Sequence, residues 1–171
     1  NTAGSGVSIS YKTANGWEIP KALEIKDYKN TSEYVGYYMS SDNKHLLMAV
    51  QREECVGLKD LFVSFLETDG TWSKPVHLGN VINSDDEEAN PFLASDGKTL
   101  YFSSKGHMNI GGYDVFRSSI VDGKYLEALN LGVTLNSRRD DLAFVLVSED
   151  KGYLSTDKSH SGNFDILKFE V

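Results

Sequence analysis

The densest cluster of groups able to do chemistry is the acidic run Asp85, Asp86, Glu87 and Glu88. Hard cations such as calcium take several carboxylate oxygens. The run, however, lacks the alternating acids and the glycine of a calcium loop, and the corresponding place 53 residues later reads Arg138, Arg139, Asp140 and Asp141. Arginine offers a cation no ligand, so a metal site repeated in both places is excluded. Both stretches are expected to form a variable, partner-facing rim, together with His107.

The other reactive residue types are scattered. His45, His77, His107 and His160 show no H-x-x-x-H or H-E-x-x-H spacing, so none pairs as a metal ligand. Ser161 beside His160 has no nucleophile-elbow context. Cys55 stands alone in a polar loop, which rules out an internal disulfide and a thiolate metal cluster. No cofactor motif is present. Asp60, Asp114 and Asp165 recur at one place, just before an apolar run. A carboxylate there is expected to accept hydrogen bonds from nearby backbone N–H groups and hold a turn. Trp17, Trp72 and Tyr125 also recur in register and read as packing residues, with carbohydrate stacking as the rival use.

These recurrences belong to an internal repeat. Gly16, Gly70 and Gly123, each followed closely by an aromatic, lie 54 and 53 residues apart. Leu78-Gly79 and Leu131-Gly132 repeat at 53, as do Asn83-Ser84 and Asn136-Ser137. The turn Ser41-Asp42-Asn43-Lys44 matches Ser95-Asp96-Gly97-Lys98 at an offset of 54. We place the units at approximately 7–60, 61–114 and 115–171 of a single region covering 1–171.

Each unit holds short β-branched and aromatic runs, such as Leu61 to Phe65 and Thr99 to Ser103, bounded by turn residues. Asp96-Gly97 supplies the positive φ of a tight hairpin, and Asn43 takes that position in the first unit. No segment sustains a helical apolar period; Pro20 to Leu23 allows one turn at most. Leu100, Tyr101 and Phe102 in succession require a sheet buried on both faces. The expected fold is therefore all-β: about three four-stranded blades of a β-propeller, each near 53 residues. Such rings close with about 4–8 blades, so the chain reads as an arc, with further blades on its N-terminal side or on another chain.

Bulk composition narrows the partners. Seventeen basic against 25 acidic residues give a net charge of −8, which argues against nucleic acid. Leu46 to Val50, the most apolar stretch, is far too short to span a membrane. The opening residues lack a signal-peptide pattern, so an export signal is expected to lie outside this chain or to have been removed.

The stretch from Asn83 through Ser95-Asp96-Gly97-Lys98-Thr99-Leu100-Tyr101-Phe102-Ser103-Ser104 to Gly106 resembles the WD-type, TolB-like propeller repeat. Its continuation Gly111-Gly112-Tyr113-Asp114-Val115-Phe116 is similar to the version found in Bacteroidota cell-envelope proteins, in which the propeller often accompanies an OmpA-like domain. The first unit departs from it, lacking the proline at Glu33 to Tyr37 and one glycine before Asp60. The resemblance implies a non-catalytic, periplasmic, outer-membrane-associated scaffold. It further implies protein partners in the envelope, as in type IX secretion or gliding machinery, and peptidoglycan contact only through a flanking domain. Asp60, Asp96, Gly97, Gly112, Asp114 and Asp165 are the structural repeat positions. Recognition is expected on the unlike loops 51–57, 85–90, 105–110 and 138–141. The rivals are a glycan-binding propeller and a glycosidase-like or peptidase-associated one.

Overall fold

A computed structural model describes residues 6–159 and 163–170. Among them every regular element is a strand. The N-terminal segment nests one short hairpin inside another: β1 (Ser8–Ile9) pairs with β4 (Lys21–Ala22) around β2 (Lys12–Thr13) and β3 (Gly16–Trp17). Lys21 and Ala22 are thus extended, where a helical turn was allowed from sequence. Pro20 locks φ but leaves the β-region open, and pairing with Ser8 and Ile9 decides the outcome.

Three sheets follow. The first is an antiparallel meander of β5 (Gly36–Met39), β6 (His45–Val50), β7 (Asp60–Phe65) and β8 (Val76–His77). The second runs β9 (Glu88–Leu93), β10 (Thr99–Ser104) and β11 (Asp114–Val121). Against β11 lie the short hairpin strand β12 (Lys124–Tyr125) and, further back, β13 (Leu129–Asn130). The third has β14 (Asp141–Leu146), β15 (Lys151–Thr156) and β16 (Asp165–Glu170). The sheets therefore begin some way into the sequence units, since the second and third units start on the third strands β7 and β11 of the first two sheets.

The turns obey the expected chemistry. Asn43 at φ 56° and Gly97 at φ 64° occupy the left-handed position of equivalent hairpins. The Asp96 carboxylate secures its turn by accepting from the Lys98 and Thr99 backbone N–H groups.

Alternation along the central strands sends apolar side chains to both faces. Leu47, Ala49, Leu61 and Val63 leave the first sheet to meet Leu100, Phe102 and Phe116 of the second. Leu46, Met48, Val50 and Phe62 point the other way, under Trp72, Leu23 and Ile25. The opposite face of the second sheet places Val115 and Tyr101 against Phe144 and Leu154 of the third. Each large side chain buried this way contributes about 1.5–3 kcal/mol. The outer face of the third sheet stays open, with Ile166 76% and Tyr153 41% exposed.

The stack is splayed. The first strands β5, β9 and β14 lie against one another in succession, whereas among the described residues β8, β12, β13 and β16 touch strands of their own sheet alone. The sheets thus converge along one edge and open toward the other.

Candidate functional site

The loops between second and third strands and the linkers between sheets gather at one end, and a repeated hydrogen-bonded joint positions them. Asp60, fully buried, accepts from the backbone N–H groups of Val56 (2.7 Å) and Gly57 (3.4 Å). Asp114 does the same for Ile110 (2.5 Å) and Gly111 (3.3 Å). The turn-holding role expected for these two aspartates is what the structure shows. Asp165, their third counterpart, is exposed, and residues 160–162, His160 and Ser161 included, lie outside the described residues.

Each buried aspartate also anchors the linker to the next sheet. Asn83 accepts from the Leu61 N–H (2.7 Å) and donates to the Leu61 carbonyl (3.0 Å), so one carboxamide satisfies both backbone groups. Asn136 makes the same pair with Val115, at 2.8 and 2.9 Å. Asn130 joins the acid and the amide of the second joint, donating to Asp114 (2.7 Å) and accepting from Asn136 (2.8 Å) and the Gly132 N–H (2.8 Å). His77 fills that place in the first joint. Its Nδ1 accepts from the Gly79 N–H (3.1 Å), so the neutral ring carries its proton on Nε2, which lies 2.8 Å from both Asp60 and the Asn83 NH2.

The acidic run divides at this joint. Glu88, expected on the rim, has 0% exposure. Its carboxylate accepts from Ser84 Oγ (2.5 Å), the Ser84 N–H (3.1 Å) and Ser104 Oγ (2.7 Å), and burial pushes its pKa up. Asp141, also expected on the rim, is likewise fully buried and accepts from the Ser137 N–H at 2.5 Å. One methylene shorter than Glu88, it leaves its Oδ1 without a hydrogen-bond partner. Both are joint residues. Close backbone packing completes the arrangement: a Cβ on Gly57 would sit 2.1 Å from the Asp86 carbonyl oxygen, and one on Gly111 2.4 Å from that of Ser137. Gly112 is held to glycine by Asp140 Oδ1, which accepts from the Tyr113 N–H at 2.9 Å.

The remaining rim residues differ in exposure. Glu87 is half-buried, taking the Tyr113 hydroxyl (2.5 Å) and the Lys105 ammonium (3.2 Å); these partners lower its pKa, the Tyr113 bond foremost. Lys105 also lies 4.6 Å above the Tyr113 ring. His107 is half-buried beside Phe102 and Phe116 and bonds the Ile82 carbonyl at 2.9 Å, so it is a packing residue. Asp86 is half-buried, while Asp85, Arg138 and Arg139 are exposed. Arg138, Arg139 and Lys158 line a cleft of about 520 Å³ with Ile110 and Val133. In the loop 51–57, Arg52 is withdrawn: its side chain is 1% exposed, paired with Glu54 and Asp27 and lying over Phe62.

A second cleft, about 710 Å³, opens at the opposite end between the first two sheets, lined by Val63, Phe65, Val76, Leu93 and Tyr125. Ser40, Asp42 and His45 sit at its mouth, but all three belong to one turn. Asp42 accepts from Ser40 Oγ and from the Lys44 N–H, which draws its pKa down to about 2. Trp17 is 70% exposed and Trp72 is buried in the core, so the recurring aromatics form no continuous stacking surface. Among the described residues no three His, Cys, Asp or Glu side chains come together as a metal-holding group.

No family model matches the chain, and no curated protein matches it. Among solved structures it is similar to a Mycobacterium tuberculosis puromycin-hydrolyzing peptidase, with a TM-score of 0.54 at 16% identity. The likeness covers 98% of this chain and 29% of that one, so the chain spans under a third of its neighbour's length. It is a likeness of fold.

Proposed function

We propose that this chain is an arc of a β-propeller serving as a non-catalytic protein-interaction module, with the loop end facing the partner. One observation carries the reading: joints of the same design, Asp60–His77–Asn83 and Asp114–Asn130–Asn136, carry surface loops of opposite charge. The first loop presents Asp85 and Asp86, and the second presents Arg138 and Arg139 beside Lys158 in a cleft. Rigid repeats with unlike loops are the usual platform for recognition. The convergence of β5, β9 and β14 supports the arc, because first strands line the axis of a propeller. Placement in a bacterial envelope, periplasmic and outer-membrane-associated, rests on the resemblance of the stretch 83–116.

Site-specific crosslinking from position 108, exposed on the neighbouring loop, in the parent protein within envelope extracts tests the partner side. A crosslinked species that disappears on Asp85→Ala/Asp86→Ala or Arg138→Ala/Arg139→Ala exchange is expected. The same species in undiminished yield from both variants would remove the loop end from the hypothesis. Further copies of the 53-residue unit in the parent reading frame would support the ring. A second reading, an arc within a larger hydrolase, is favoured by the likeness to the peptidase over 98% of this chain. Release of the amino acid from puromycin by the parent protein would favour it over a scaffold.

A further inference from the structure

A smaller cavity of about 370 Å³ lies at the convergent edge of the sheets, lined by Lys59, Glu87, Ala89, Asn90, Tyr113 and Leu142 among others. Two of its polar side chains are idle. Lys59 is only 9% exposed, yet its ammonium makes no hydrogen bond and no ion pair among the described residues. Its expected counter-ion, Glu87, is engaged by Tyr113 and Lys105. Burial pushes the Lys59 pKa down even though Glu87 and Glu88 lie near enough to oppose that shift. The Asn90 carboxamide likewise has no hydrogen-bond partner among the described residues, and Asn90 holds a left-handed φ of 48° where β9 bulges against β10. A bulge re-aims the side chain that carries it. Neither the Lys59 ammonium nor the Asn90 carboxamide is sealed from solvent; both open on the cavity with donors that no atom of the described residues takes.

We infer that this cavity binds a carboxylate, with Lys59 Nζ and Asn90 Nδ2 as its donors. Lys59 supplies the charge, Asn90 a directed N–H, and Ala89, Leu142 and the Tyr113 ring accommodate a short apolar stem. The cavity admits one small acid or one acidic side-chain tip, a volume at the low end for ligand sites. The inference stands independently of the propeller and of the partner reading.

The test is a titration of the labelled 171-residue chain followed by NMR. The Lys59 Cε–Hε and Asn90 side-chain amide signals are monitored while acetate, glutarate, a blocked Ala-Glu-Ala peptide, its Gln counterpart and inorganic phosphate are added separately. Saturable shifts of both signals with at least one carboxylate are expected, without response to the Gln peptide. Lys59→Met and Asn90→Leu should each weaken the response at least tenfold. Stronger response to the free acids would name a small metabolite as ligand, and stronger response to the Glu peptide a protein side chain. Absence of saturable shifts in the wild-type chain overturns the inference, an outcome readable even if Lys59→Met does not fold. An equal response to phosphate, or full retention in a folded Asn90→Leu chain, also overturns it.

Discussion

Replacing Asn130 by histidine, and His77 by asparagine, asks whether the joint needs a side chain that accepts twice while also donating. Asn130 does so: its oxygen takes Gly132 and Asn136, and its NH2 group gives to Asp114 and to the Met108 carbonyl. A neutral imidazole has one donor and one acceptor nitrogen. At His77 both are committed, to Asp60 and Gly79, so the Asn83 NH2 group faces an N–H at 2.8 Å. A buried donor left without an acceptor costs about 1–3 kcal/mol. Asn130→His imports that penalty and should lose about 1–3 kcal/mol. His77→Asn removes it but forfeits the edge-on contact between the ring and Phe62, 5.1 Å between centroids. That contact contributes about 0.5–1.5 kcal/mol, leaving a net gain of about 1 kcal/mol. For a domain of this size the gain is worth about 2–4 °C in Tm. In a Phe62→Leu background the edge contact is absent, and the gain should be larger. Urea and thermal unfolding of the wild-type chain and these variants measure the differences. A histidine at 130 tolerated at no cost, with Asp114→Ala severely destabilising, would show that the shared acceptor is not needed.

Glu88, whose pKa burial raises, favours the folded state fully below its unfolded value, and that contribution is lost as pH rises through the raised value. Glu88→Gln should flatten this slope, and urea midpoints between pH 5 and pH 8 that change in parallel for both chains would contradict it. Asp141→Glu restores the methylene that lets Glu88 reach two hydroxyls, and should add about 1 kcal/mol by satisfying the orphaned oxygen; an unchanged urea midpoint would refute the parallel. Ala143, where β14 bulges against β15, holds φ 49°, a conformation that costs a non-glycine residue about 1–2 kcal/mol. Ala143→Gly should therefore raise the thermal midpoint despite its entropy penalty, and a lowered midpoint would show that the bulge is unstrained. Gly111→Ala would drive a methyl into the backbone of residues 137–139 and should prevent a cooperative thermal transition; a near-normal calorimetric peak would mean that the loops part easily.

Much of the framework was legible because it repeats. Asn43 and Gly97 marked equivalent hairpins, Asp60 and Asp114 marked equivalent turns, and apolar runs without alternation marked sheets covered on both faces. The site was less legible. Asp85 to Glu88 reads as one solvated run, yet the chain crosses from loop to strand within it, so Glu88 turns inward while Asp85 remains in water. A signal was present: Ser84 with Glu88, and Ser137 with Asp141, keep a serine and an acid four residues apart in both units, whereas the first two intervening residues change sign. Lys59 offered no such signal, since its counterparts in register are not lysine and its burial depends on how two sheets meet. Arg52 looked like a loop charge and is instead held over Phe62 by Glu54 and Asp27.

Asn83 and Asn136 have a consequence for how such chains change over time. Each asparagine staples the start of one sheet to the third strand of the sheet before it, so the coupling is encoded within some two dozen residues and travels with the unit. Duplication or loss of a whole unit therefore carries its own fastening, and the length of the array can drift in steps of one module without redesign of the neighbours.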